Sequence, residues 1–287
     1  MRTLAGRSVS EIAYGGALLS FNPNLDPAAG IARIRCALDS GIRVLDTAAA
    51  YCPDGNSPGH NEMMMATAMR EWGGDPDEVL VVTKGGHQRS ADGFPIDGRP
   101  EAIARDCEGS LRALGSDVIG LYLLHWPDPE VPIQRSAEGL RALLEAGKIG
   151  AAGISNVTVE QLRAAQTECP IAAVQNPFSP GRAARDMLDV CTAEGIGFMA
   201  YSPLGGPGEA AVLGERYPAF AAVAERHGVS PQRAALAWEV ALSPVLLPVC
   251  GATRPETIRD SAAAMSLELT DGDRVDLDRS SHPGVGL

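Results

Sequence analysis

The chain has 287 residues, 45% of them apolar and 21% charged, with a formal net charge of −12. That composition is ordinary for a globular protein, and this length suits one α/β barrel domain spanning 1–287. The acid excess leaves no basic footprint for nucleic acid or an anionic membrane surface, and no run reaches the roughly 18 apolar residues of a membrane span.

The N-terminal stretch 1–21 carries Glu11 and lacks a small-residue cleavage site, so no secretory leader is expected. A short strand or β-hairpin fits there. SEIAYG (10–15) reads as the first barrel strand. Asp26 can cap a helix over 27–40 that Gly41 stops. IRVLD (42–46) is the second strand, with a helical pattern over 58–72. VLVVT (79–83) precedes a helix over 100–114, and VIGLYLLH (118–125) one over 136–146. KIGAAGI (148–154) is followed by 158–167, and AAVQN (172–176) by 181–194. IGFMAYS (196–202) leads into an extra helix over 215–227 and a further one over 231–243. VLLPV (245–249) precedes a helix over 255–264, a helix-like stretch over 270–280 and a short tail. The strands are continuous apolar runs, as expected for parallel strands covered on both faces.

Eight strands alternating with helices predict a (β/α)8 TIM barrel. An open doubly wound sheet would ask for GxGxxG after the first strand, and that motif is missing there. The Gly-rich segments 85–99 and 203–214 follow strands, so a barrel places them on the C-terminal face, where sites are built.

The six cysteines (Cys36, Cys52, Cys107, Cys169, Cys191, Cys250) contain no CxxC pair. Wide, irregular spacing argues for reduced thiols and a cytoplasmic location. The five histidines show no HxH pair at a strand end, so no metal site is expected.

The second strand ends in Asp46, and Tyr51 follows on its loop. An N-cap followed by a core aromatic is the plain explanation of that pair. The third strand, however, ends in Lys84 and the fourth in His125. Lys84 stands out because 22 of the 24 basic residues are arginines. A barrel points all four groups at one centre. A free phenol has a pKa near 10 and is a poor acid at neutral pH. A nearby ammonium lowers that pKa, a carboxylate holds the lysine charged, and a neutral histidine can aim a substrate oxygen. Together they make a tuned general acid for a carbonyl oxygen. With no nucleophile and no metal, hydride from a cofactor is the natural attacking species.

IRVLDTAAAY, GHNE (59–62), VVTKGG, IGLYLLHWPDP, EAGKIGAAGISN, VQNPFSP, MAYSPLGG and LPVCGATRPETI occur in that order over nearly the whole chain. The chain resembles the aldo-keto reductases in these blocks. The resemblance implies a barrel that binds NADP(H) without a Rossmann motif, and a tetrad of Asp46, Tyr51, Lys84 and His125. It assigns Ser155, Asn156 and Gln175 to the nicotinamide carboxamide, Tyr201 to the nicotinamide ring, and Ser202 to Gly206 (with Leu204 and Gly205) to the pyrophosphate. Gly251 lies at the adenosine end, and Arg254 is the candidate for the 2′-phosphate. Family members commonly have an asparagine against the adenine where Ser261 stands here, with Asp260 just before it.

Phe21, Asn22, Cys52, His87, Phe94 and Trp126 are the candidate substrate contacts. Cys52 replaces the glycine that usually follows the tyrosine, either narrowing the pocket or offering a thiol. The short tail predicts an open pocket. The expected activity is NADPH-dependent reduction of an aldehyde or ketone, with Tyr51 as general acid. A redox-neutral isomerase, an alcohol dehydrogenase on the same site and a non-catalytic NADP(H)-sensing subunit are the alternatives. The expected partner is a small carbonyl or alcohol substrate, with neither nucleic acid nor membrane; a homo-oligomer is compatible with the sequence.

Overall fold

The computed structural model describes residues 1–22, 24–90, 93–182, 185–206 and 208–281. Strand β1 (Arg2–Leu4) pairs antiparallel with β2 (Arg7–Val9). Ala5 and Gly6 turn the chain with φ of 50° and 73°. Positive φ at both central residues is the hairpin turn that matches strand twist. Leu4 and Val9 are buried among the residues that fill the barrel, so the hairpin plugs its lower end. A side chain at Gly197 would collide with Leu4, with a Cβ only 2.3 Å from Leu4 Cδ1.

The barrel strands are β3 (Ala13–Gly15), β4 (Val44–Asp46), β5 (Leu80–Gly85), β6 (Leu121–Leu124), β7 (Ala152–Ser155), β8 (Ile171–Pro177), β9 (Gly197–Tyr201) and β10 (Leu246–Cys250). They form one closed parallel sheet in the order β10-β3-β4-β5-β6-β7-β8-β9. The predicted (β/α)8 barrel is the fold observed, with each predicted strand in its place. The fourth and fifth strands are shorter than their apolar runs. Ile119 and Ile149 only touch through an isolated bridge below the barrel proper.

The helices are α1 (Ala17–Phe21), α2 (Pro27–Asp39), α3 (His60–Trp72), α4 (Pro100–Leu114), α5 (Ile133–Glu145), α6 (Val159–Gln166), α7 (Arg185–Glu194), α8 (Leu213–Arg216), α9 (Pro218–His227), α10 (Pro231–Leu242), α11 (Pro255–Ala262) and α12 (Asp271–Ser280). Asp26 caps α2 by accepting from the Ala28 amide, as its position predicted. Thr158 and Gln161 close a reciprocal capping box on α6. Helix α5 starts three residues before the predicted 136, directly after Pro132.

The core has two layers. Ile34, Leu45, Tyr122, Leu124, Val174 and Phe198 pack between sheet and helices. Val44, Leu80, Val82, Leu121, Leu123, Ala173 and Met199 fill the barrel. Strand side chains alternate faces with period two. Continuing the inward series two residues further gives Asp46 after Val44, Lys84 after Val82, His125 after Leu123, Gln175 after Ala173 and Tyr201 after Met199. The polar site is therefore the top layer of the same stack that makes the core.

Candidate active site

Lys84 lies at the centre and is fully buried. Its Nζ donates to Asp46 Oδ1 at 2.8 Å, Asp46 Oδ2 at 2.9 Å and the Thr47 carbonyl at 2.7 Å. It also donates to the Tyr51 hydroxyl at 3.4 Å and lies 5.0 Å from the centre of that ring. Burial alone would lower the Lys84 pKa, but Asp46 and Tyr51 outweigh it and hold the ammonium above its ordinary value. Gln175 Nε2 donates to Asp46 Oδ1 at 2.7 Å, so that oxygen accepts from both Lys84 and Gln175.

The lysine was expected to lower the Tyr51 pKa. The structure reverses the net direction: burial pushes the phenol up, and the opposing pull of Lys84 is smaller. Tyr51 therefore holds its proton firmly in this state. His125 stands beside it, with ring centres 5.7 Å apart. Burial, then Lys84 and His87, hold His125 well below the ordinary imidazole value. It is neutral, as expected, and its buried Nδ1 has no hydrogen-bond partner among the described residues.

Asn61, from the GHNE block, is a residue that the sequence reading left without a role. It is fully buried. Its Oδ1 accepts from Thr47 Oγ1 at 2.7 Å, and its Nδ2 donates to the Gly16 carbonyl and to Ser20 Oγ, both at 2.8 Å. Its backbone N–H donates to the Tyr51 carbonyl at 3.2 Å. Asn61 thus pins both ends of the turn that presents Tyr51. A Cβ at Gly16 would lie 2.3 Å from Asn61 Oδ1, so that glycine makes room for the pin. The only available signal was a polar residue at the start of a helix right after the tyrosine loop.

A cavity of about 1040 Å³ runs from this centre to the N-terminus of α11. Asp46, Tyr51, His125, Ser155, Asn156, Gln175, Tyr201, Ser202, Leu204, Gly251 and Arg254 all reach its wall. Gly205 instead borders an adjoining cavity of about 230 Å³. Asn156 Nδ2 donates to the His125 carbonyl and to Ser155 Oγ, each at 3.0 Å. Tyr201 donates its hydroxyl to Asn156 Oδ1 at 2.7 Å. Asn156 and Ser202 have φ of 61° and 54°, two of the three non-glycine residues in the left-handed region among those described. Strained backbone of this kind collects at functional sites.

At the far end Arg254 is exposed and lies 3.5 Å from Glu256. Asp260 accepts from Arg233 Nε at 2.9 Å, and Ser261 is buried.

Among the substrate candidates, Phe21 and Trp126 line the cavity. Phe94 and His87 form a second row: His87 is 4.9 Å from His125, 6.4 Å from Trp126 and 5.5 Å from Phe94 by ring centres. Cys52 is not brought to the wall. Its side chain turns inward and is buried, with Sγ 3.7 Å from the Ala50 carbonyl. Burial raises its pKa, which opposes thiolate chemistry. Of the tail expected to leave the pocket open, 280–287, residues 282–287 lie outside the described residues. No cluster of metal-ligating side chains occurs among the described residues, and no helix there is long and apolar enough to cross a membrane.

The model of the aldo/keto reductase family matches residues 11–281. A probable aldo-keto reductase from Glycine max is 28% identical over 300 residues, covering 93% of this chain and 84% of that protein. A glycerol dehydrogenase from Gluconobacter oxydans superposes with a TM-score of 0.83 at 25% identity, covering 97% and 94% of the two chains. An aldo/keto reductase from Klebsiella pneumoniae, solved with NADP and acetate, has a TM-score of 0.77 at 26% identity, covering 96% and 93%.

Proposed function

The chain belongs to the aldo/keto reductase family, and from that premise we propose that it is an NADPH-dependent carbonyl reductase in which Tyr51 is the general acid. The reading treats 1–287 as one reductase domain. The observation that carries it is the buried Lys84 bridging Asp46 and Tyr51, with a neutral His125 beside them on one cavity wall.

The residues present suit a nicotinamide dinucleotide. Amide and hydroxyl groups of Ser155, Asn156 and Gln175 ring one end of the cavity, and Tyr201 offers an aromatic face. Gly205 and Gly206 take φ of 93° and 104°, which lets the loop after β9 approach a pyrophosphate closely. Arg254 at the start of α11 supplies a cation for a 2′-phosphate. NADPH, when bound, supplies the hydride that adds to the carbonyl carbon.

Within that frame His125, being neutral, can donate a hydrogen bond to the carbonyl oxygen without protonating it. Tyr51 gives its proton to the same oxygen as negative charge develops there. Burial, which raises the phenol pKa, favours keeping the proton on Tyr51 at neutral pH. Lys84 then stabilises the tyrosinate left behind, and Asp46 and Gln175 keep Lys84 aimed. Asn61 holds the turn, so Tyr51 does not have to be ordered at each turnover.

The test is NADPH oxidation with a panel of aldehydes and ketones, repeated with NADH. Tyr51→Phe should lower turnover by ~10²–10⁴-fold while NADPH still quenches tryptophan fluorescence with similar affinity. Unchanged turnover in that variant would refute the reading.

A further inference from the structure

The loop after β5 folds back on itself beside the cavity, and its Phe94 packs against the cavity-lining Phe21. His87 pairs with Ile96, and the Gln88 amide donates to the Pro95 carbonyl at 3.1 Å. The loop carries Phe94 and a half-buried arginine, Arg89, that the residue patterns did not single out. The Arg89 guanidinium carbon sits 5.6 Å from the centre of Phe21 and 5.4 Å from the centre of Phe94. Those two rings meet edge to face with centres 6.1 Å apart. Nη1 donates to the backbone carbonyl of Cys52, next to Tyr51.

Aromatic contacts and one carbonyl leave most of a guanidinium's five donors unspent. Among the described residues no carboxylate forms an ion pair with Arg89. That contrasts with Arg43, Arg226 and Arg233, each bound to an acid. Other described arginines, Arg33 and Arg141 among them, also lack an acid; what sets Arg89 apart is its seat against two aromatic rings, one of which, Phe21, lines the cavity. Phe21 in turn touches Tyr51, with ring centres 5.4 Å apart, so one aromatic ring separates Arg89 from the proton donor. Phe21, Phe94 and Trp126 are each more than a third exposed; Phe21 and Trp126 line the cavity, and Phe94 packs against Phe21.

A planar guanidinium held between rings suits a carboxylate, which it can grip through two parallel hydrogen bonds. We propose that Arg89 is the anion-recognition residue of the substrate pocket, and that the preferred substrates are carbonyl compounds whose flat or aromatic body carries a carboxylate about one ring away from the reacting carbonyl. The proposal rests on the carbonyl-reductase reading. The net charge of −12 repels such anions overall, so recognition has to come from a local cation.

The measurement is kcat/KM for 4-carboxybenzaldehyde and for methyl 4-formylbenzoate, the same body with its charge masked. The ratio of acid to ester should favour the acid in the wild type. It should fall by about tenfold or more in Arg89→Met, mainly through KM. Arg89→Lys, which keeps the charge and loses the fork, should lie between. Each variant's ester rate is its own reference, so a general loss of activity does not imitate the effect. An equal ratio in wild type and Arg89→Met overturns the proposal. Should neither aldehyde be reduced while other carbonyls of the panel are, the proposal is overturned; should no carbonyl of the panel be reduced, the reductase reading fails. Benzoate binding followed by tryptophan fluorescence then decides the anion site: weaker binding to Arg89→Met supports it, and equal binding overturns it.

Discussion

Two buried carboxylates in this barrel have opposite surroundings. Asp46, at the end of β4, accepts two hydrogen bonds from Lys84 and one from Gln175. Glu239, on α10, is fully buried, and neither of its carboxylate oxygens has a partner among the described residues. A buried charge is held only where a counter-charge and hydrogen bonds meet it. Asp46 meets that condition because the inward period of adjacent strands brings β4 and β5 ends together. Glu239 does not, and burial drives its carboxyl well above the usual carboxylate range. The first arrangement satisfies a buried charge, whereas the second is a cost that the fold carries.

The comparison breaks most visibly at Lys84. Lys84→Met removes both the partner of Asp46 and the cation beside Tyr51. Turnover should fall by ~10²-fold or more, measured as NADPH oxidation under saturating substrate. Asp46→Asn leaves a buried ammonium facing an amide and should cost ~3–5 kcal/mol of stability in denaturant unfolding. The Asp46→Asn/Lys84→Met double variant should lose less than the sum of the two, because neither charge is then stranded. An additive result would show that the pair is not coupled and would remove the contrast with Glu239.

The barrel was legible because the strands are apolar runs and many of the helices, α2, α4, α6, α10, α11 and α12 among them, start at a side-chain cap or a proline. The grouping of Asp46, Tyr51, Lys84 and His125 was legible because three of them stand at the ends of successive strands and Tyr51 lies on the loop after the first. Asn61 and Arg89 were not legible. Asn61 acts through three contacts remote in sequence, and Arg89 matters only because a loop folds Phe94 back toward Phe21. Cys52 was read as a pocket residue from its position beside Tyr51, but the turn rotates its side chain into the protein. The direction of the Tyr51 shift depends on how deeply the phenol is enclosed, which a list of neighbours does not convey. Glu239 is hidden for a different reason. Residues 234–239 are all buried, so α10 shows no clean amphipathic period that would mark a charged residue as misplaced.

Glu239 also sharpens the comparison through pH. Its folded pKa is raised, so the folded state keeps a proton that the unfolded chain releases above a pH of about 4.3. The folded state then binds more protons, and stability falls as pH rises through the window between the two pKa values. Below that window both states are protonated and the contribution is flat. Glu239→Leu removes the titrating group and the two unpartnered oxygens at similar volume. It should therefore be more stable than the wild type by about 1–3 kcal/mol near neutral pH. The gain should shrink on acidification, at up to about 1.4 kcal/mol per pH unit within the window. Glu62 is also buried and raised, by burial above all, but it is common to both proteins and cancels in the difference. Urea unfolding of both proteins at pH 4, 5.5 and 7 reads this directly. A gain that stays constant across those values would mean that Glu239 is ionised in the folded protein at every pH tested, and the two carboxylates would then differ in partners but not in charge.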